Sequence, residues 1–276
     1  DTNGVVYFRG MLDASMLDDN ERRLLPLFTD LVTQFGTKSY DYREFDTIVS
    51  TKTAGLSFNV HLSENVNDYS QYEIGLQFGS YALKNNSQDM FNIFAELLNT
   101  LEFNDEKRFE MLLENYISSL SVGIAQSGHL YAMQNASGLV TECGMLREAM
   151  SGLEHLNFVK ELASKGSGEI LATIKSIGKK VFQKSPVRCA LNVTAGEVDE
   201  SVKNVEKFIQ QLPIEKGDIH WNRSNLLNTN SRHNVMNIPI NYCAKSLATV
   251  PYSHDDYSTL RVLARILSSK FLLPVV

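Results

Sequence analysis

The sequence predicts an α+β fold in which helices cover one face of a mostly antiparallel sheet. Three observations predict it. Leu56, Phe58, Val60 and Leu62 alternate with polar residues, and Tyr72, Ile74, Leu76 and Phe78 do the same. That two-residue period belongs to strands with one buried face. The polar connection between them, residues 64–70, is short enough for antiparallel pairing. Elsewhere apolar residues recur at three- and four-residue spacing, and the order of elements is not the regular strand–helix alternation of a parallel sheet.

Taken in order, the chain opens on a strand, Val5-Val6-Tyr7-Phe8, running towards Met11-Leu12. Asp18 or Asp19 caps a helix, a side-chain oxygen accepting from an otherwise unpaired N–H. Its apolar face is Leu24, Leu25, Phe28, Leu31, Val32 and Phe35. Gly36 is read as its stop, because glycine tolerates the left-handed conformation just past helix ends. A shorter helix is expected over 42–53, and the two alternating strands follow Gly55. Ser87 or Asn86 starts a helix that buries Met90, Phe91, Phe94, Leu97, Leu98 and Leu101. Asn104 is expected to cap the next, with Phe109, Leu112, Leu113, Tyr116, Ile117 and Leu120 facing inward. Helical pieces continue over 130–136, 143–150, 153–162 and 170–177, separated by turns at Gly128, Gly138, Gly152 and Gly166-Ser167-Gly168. A last strand, 187–194, leads into a helix carrying Val202, Val205, Phe208, Ile209 and Leu212.

From 213 to 234 the sequence turns polar and rich in Asn and Gly, with little periodicity. The expected organisation is a domain over 1–212, a linker over 213–234, and the beginning of a second domain over 235–276. In that last part, 235–250 reads as two short strands broken near 239–242. A helix then starts at Asp255 or Asp256 with Leu260, Leu263, Leu267 and Phe271 on one face. Asp1-Thr2-Asn3-Gly4 reads as a cut end and not as a targeting peptide.

Composition narrows the function. With 26 Lys plus Arg against 32 Asp plus Glu, the formal charge is −6, which lacks the basic footprint of a nucleic-acid binder. No apolar run reaches the roughly 20 residues of a membrane helix. Cys143, Cys189 and Cys243 are odd in number and far apart, the pattern of free thiols in a reducing compartment. The six histidines are His61, His129, His155, His220, His233 and His254. None is paired with another at the helical spacings that commonly build a zinc site, so no catalytic, cofactor-binding or metal-ligating residue is assigned. Asp18-Asp19, Asp105-Glu106, Asp199-Glu200 and Asp255-Asp256 stand at helix starts, where dipole and capping account for them. Gly166-Ser167-Gly168 lacks a phosphate-loop pattern and reads as a helix break. Ser127-Gly128-His129 reads as a turn, Arg22-Arg23 and Lys179-Lys180 as solvated charges, and Trp221 as an anchor for the linker.

Several segments carry a resemblance: Thr2-Asn3-Gly4-Val5-Val6-Tyr7-Phe8, Leu25-Pro26-Leu27-Phe28, Asp41-Tyr42-Arg43-Glu44, Ser127-Gly128-His129-Leu130-Tyr131-Ala132, Arg188-Cys189-Ala190-Leu191-Asn192-Val193 and Val250-Pro251-Tyr252. Together with Leu263-Ala264-Arg265-Ile266-Leu267 they span nearly the whole chain. In that order the sequence resembles the single-chain pitrilysin/insulinase-type zinc peptidases, at the third domain and the start of the fourth. The resemblance implies α/β-roll, metallopeptidase-homology domains in two halves around a closed chamber. It also implies zinc and its ligands in the first domain, and a mitochondrial matrix location. Unfolded peptides such as cleaved presequences would be the substrates, and the catalytic N-terminal half of the same polypeptide the partner. The family's inverted H-x-x-E-H motif falls on Leu27-Phe28-Thr29-Asp30-Leu31, with Leu27 and Leu31 where its histidines would be. The family's R-x-x-x-G-x-x-Y pattern, which sends an arginine and a tyrosine into the active site, does not occur in this sequence. This segment is therefore expected to be non-catalytic and to wall the chamber. An inactive homologue serving as a binding or assembly subunit is the alternative.

Overall fold

The computed structural model describes residues 1–215, 217–227, 231–236 and 240–272. Strand β1 (Val5–Asp13) sends Val6, Phe8 and Leu12 to the interior and Tyr7 and Arg9 to the opposite side. Helix α1 (Asp19–Leu31) begins in a capping box: Asp18 accepts from the Glu21 N–H at 3.0 Å, and Glu21 accepts from the Asp18 N–H at 3.0 Å. Its expected apolar face is buried throughout. Gly36 serves differently from expectation. The helix gives way to a short 3₁₀ turn, Val32–Gln34, and Gly36 is not left-handed. The Tyr40 carbonyl lies where a Cβ of residue 36 would go, so close backbone approach is what requires glycine there.

Helix α2 (Tyr42–Lys52) starts in a second capping box, Asp41 with Glu44. Strands β2 (Ser57–Glu64) and β3 (Gln71–Leu83) then pair antiparallel, with Phe58 opposite Phe78, Val60 opposite Leu76 and Leu62 opposite Ile74. Opposed residues share a face, so the two alternations reinforce one another. Helix α3 (Ser87–Thr100) packs on this face. Helix α4 (Glu106–Ser137) consists of two helical stretches that meet at a kink at Ser127 (φ −133°, ψ 37°), beside the break expected at Gly128. Asp105, and not Asn104, caps it, accepting from the Arg108 N–H at 3.0 Å. The carboxylate also complements the positive end of the helix dipole, an advantage that Asn lacks.

Helices α5 (Glu142–Ser151), α6 (Leu153–Lys165) and α7 (Ser167–Lys184) complete the layer. Gly152 precedes α6 and has no side chain to cap it. The buried Glu148 carboxylate substitutes, accepting from the Leu153 N–H at 2.9 Å. Strand β4 (Val187–Asn192) joins β1, and α8 (Val198–Gln210) closes the core with Phe208. The sheet order is β2-β3-β1-β4, antiparallel throughout. Beneath it Phe8, Phe78, Phe94 and Phe208 touch ring to ring, with centroids 5.2–6.5 Å apart.

Part of the segment expected as a linker is paired to this body. Strand β5 (Asn222–Arg223) hydrogen-bonds to Gln71 and Tyr72 of β3, and Leu226 bridges to Thr141. The two strands expected over 235–250 are absent among the described residues there; 237–239 lie outside them. The described stretch runs along α4, where Asn234 bonds Asn135 and Tyr242 sits on Gly128. A helix surface offers side chains but no free backbone partners, so apolar alternation alone builds no strand on it. Helix α9 (Tyr257–Ile266) forms as expected, but Leu260, Val262, Leu263 and Ile266 are all exposed.

Candidate functional site

The face of the sheet turned away from the helices is largely polar. Its side chains fall into rungs fixed by register: Tyr81–Tyr7–Asn192, Ser57–Gly79–Arg9–Ala190 and Asn59–Gln77–Met11–Arg188. Two glycines on β3 allow close approach across the strands. Leu12 O and Met11 Cε would lie 2.6 and 2.7 Å from a Cβ at Gly75, and Phe8 O would lie 2.8 Å from one at Gly79. Neighbouring side chains therefore lie down across the strands where a larger residue would hold them up.

Glu73 organises one end of this face. Only 5% exposed, it accepts from Arg188 at 2.8 and 3.2 Å and bonds His61 Nε2 at 2.7 Å. Arg188 reaches it from β4 by crossing β1, where its guanidinium also meets Met11 Sδ at 3.2 Å. One carboxylate thus ties β2, β3, β1 and β4 together across their open side. Burial works to raise the Glu73 carboxyl, but the guanidinium and imidazole bonds outweigh it and hold the group below the ordinary carboxylate range. Arg188 stays 55% exposed along its side chain.

A second acid, Asp13, ends β1. It is buried, accepts from Ser15 N at 3.0 Å and Ser15 Oγ at 2.8 Å, and bonds His220 Nδ1 at 2.7 Å. Through His220 and β5 the 220–226 segment is held against the sheet. Trp221, expected as the anchor, is 48% exposed.

Sequence inspection missed the Glu73 network because its members lie 12 and 115 residues apart. The only signal was that His61 and Glu73 occupy the polar phase of their strands. The charges read as solvated also proved otherwise in part. Lys180 binds the buried Glu21 at 2.7 Å, Arg22 donates to the Ser15 carbonyl at 2.7 Å, and Arg23 lies 3.7 Å over the Phe158 ring. Each is drawn in because α1 is buried on both flanks. Asp18 and Asp105 are caps, and Gly166 is a left-handed break between α6 and α7 (φ 118°). Ser127 and His129 form no mutual bond among the described residues; His129 faces the Tyr242 ring with centroids 6.4 Å apart.

His155 is fully buried between α4 and α6 and bonds Tyr116 Oη at 2.6 Å. Burial pushes its pKa down to about 4. Cys143 is buried, and its thiol is pushed up to about 12 for the same reason, which makes it inert as a nucleophile.

A zinc ion does not fit this chain's helix α1. Leu27 and Leu31 are 0% exposed and belong to the core, and neither side chain has a donor atom. Among the described residues no three His, Cys, Asp or Glu side chains converge to hold a metal. No described helix is long and apolar enough to cross a membrane.

Comparison with known proteins follows the same lines. The chain is 42% identical over its whole length to the mitochondrial presequence protease of Drosophila melanogaster, and covers 27% of that protein. It is 30% identical to the mitochondrial presequence protease of Xenopus laevis over 98% of its length, covering 29% of it. The chain therefore spans less than a third of these relatives. Among solved structures, the periplasmic protease PqqL from Escherichia coli aligns over 87% of this chain and 24% of its own, at 12% identity and a TM-score of 0.52. That likeness is one of fold. A family model described as Peptidase M16C associated matches residues 1–162, the part that holds β1 to β3, the helices α1 to α5 and most of α6, and the chain belongs to that family.

Proposed function

We propose that this chain is a non-catalytic segment of a zinc endopeptidase of the mitochondrial matrix that degrades unfolded peptides such as cleaved presequences. In this reading residues 1–212 form its third domain, 213–234 a linker, and 235–276 the opening of the fourth. The open face of the β2-β3-β1-β4 sheet lines the chamber, opposite the catalytic half of the same polypeptide. One observation carries the reading: the helix that the resemblance sets against the inverted zinc motif is a packing helix, with Leu27 and Leu31 in the core. A position that holds metal in a catalytic domain has here been given to burial. The full-length likeness to presequence proteases supports the parent activity. The exposed apolar face of α9 supports a continuing fourth domain, since such a face is stable once covered.

The test is turnover of an unstructured, uncharged fluorogenic peptide by the separately expressed catalytic half. The half is assayed alone, with this chain, and with a longer chain that completes the fourth domain. This chain should show no turnover by itself and rescue little. The longer chain should rescue substantially, because the resemblance implies that an arginine and a tyrosine beyond α9 contact the transition state. Failure of the longer chain to raise turnover, or chelator-sensitive hydrolysis by this chain alone, would overturn the reading.

A further inference from the structure

One long surface of the helical layer is uncharged. From Asn115 to Thr141, most of α4 and the turn after it, the sequence holds no Asp, Glu, Lys or Arg, although 21% of the whole chain is charged. Helix faces that meet water usually carry those residues. Here Val122, Leu130 and Met133 stand on the outside instead, all of them exposed. Depletion of charge together with exposed aliphatic and methionine side chains marks the core of an interface.

The chain itself shows what comes to this helix. Beyond β5 it is bonded in succession to the α4–α6 region. The Leu227 N–H donates to the Val140 carbonyl at 2.9 Å, Arg232 pairs with Glu154, and Asn234 Nδ2 donates to Asn135 Oδ1 at 3.2 Å. Asn135 is buried, and its own amide donates to the fully buried Glu148 at 2.9 Å, which leaves its oxygen for Asn234.

Tyr242 then lies on the helix beside its kink. A Cβ added at Gly128 would have Tyr242 Cε2, Cδ2 and Cζ as its nearest neighbours, at 2.3, 2.8 and 2.9 Å. No side chain tolerates such distances, so the ring occupies the room that the missing Cβ leaves. Gly128 has helical φ and ψ, and only Ser127 beside it departs from them. The backbone therefore does not call for glycine here, and close approach of the ring does. Beside the ring a cavity of about 1000 Å³ remains between α4 and the 231–248 segment, lined by Ile124, Tyr131, Leu153 and Met236 among others. The extended segment alone leaves that space open, whereas a packed body fills such space.

We infer that Gly128 is a socket on α4 and Tyr242 its anchor, and that this contact docks the polypeptide from 235 onward against the charge-free helix face. The inference rests on the reading of 235–276 as the opening of a further domain. It adds where that domain is held and by which residue.

The experiment follows trypsin cleavage after Lys245, three residues beyond the anchor, in the 276-residue chain under native conditions. Cleavage of such a segment tracks the population in which it is released. Gly128→Ala pushes the ring out and Tyr242→Ala removes it, so each should accelerate cleavage on the order of tenfold. The two combined should be no faster than either alone, because both remove the same contact. Tyr242→Phe keeps the ring and should keep the parent rate. In the Tyr242→Ala background Gly128→Ala should also raise the urea midpoint, since alanine favours the helix and the ring no longer opposes its methyl. Unchanged cleavage in both single variants, or accelerations that multiply in the double variant, would overturn the inference. Should Gly128→Ala lower the urea midpoint in that background, the tyrosine variants decide: faster cleavage with Ala but not Phe upholds the anchor, and equal rates overturn it. No catalytic half enters this measurement, so the docking contact and the peptidase reading fail separately.

Discussion

The two faces of the sheet share the same strands and differ in what holds them. On the covered face Phe8, Phe78, Leu76 and Ile74 are fully buried, and their neighbours are rings and aliphatic chains from α1, α3 and α8. On the open face the strands are joined by one carboxylate, its arginine and its histidine. Non-directional burial stabilises the first face, and geometry the second. The comparison teaches that a sheet with one dry side leaves its other side free for chemistry, since little of the fold's stability resides there.

The largest expected effect comes from the covered face. Phe78→Ala would empty the site where Phe8, Phe58, Phe94 and Phe208 converge. It should cost about 3–5 kcal/mol by urea unfolding, whereas Asn59→Ala on the open face should change stability by less than about 0.5 kcal/mol. Comparable losses from the two would erase the distinction.

The helical layer offers a sharper test through pH. His155 has a folded pKa near 4 because it is buried, against 6.5 for the ordinary imidazole. Between those values the unfolded chain binds the proton and the folded chain does not, so stability falls as pH drops from about 6.5 towards 4. The full span amounts to roughly 3 kcal/mol. His155→Gln keeps a hydrogen-bonding group for Tyr116 and should remove that part of the slope. Urea midpoints at neutral and acid pH for both proteins measure the difference, and an unchanged slope would refute the assignment.

Glu73 should give the smallest of the three effects, because His61 and Arg188 are partly exposed and regain water when it is lost. Glu73→Ala should cost about 1–2 kcal/mol at neutral pH. The sign with pH follows from its lowered pKa. The contribution is complete above the unfolded carboxylate value and fades as pH falls through the lower folded value. The gap between the parent chain and Glu73→Ala should therefore close in acid, and a gap constant with pH would count against the network.

Much of this was legible in the residues. Alternation over 56–62 and 72–78 set both strands and which side they bury, because a period of two admits no other arrangement once one face is apolar. The Asp18 cap and the face of α1 followed from spacing, and the leucines at 27 and 31 already excluded zinc there. The tertiary structure decided what depends on distant groups meeting. It joined Arg188 to Glu73 across 115 positions and seated Tyr242 on Gly128. It withheld strand structure from the described part of 235–250, where no sheet edge stood open. Local period is a property of neighbours along the chain, and one sequence contains it. A hydrogen-bond partner from another strand is a property of register and topology, and only the folded chain supplies it.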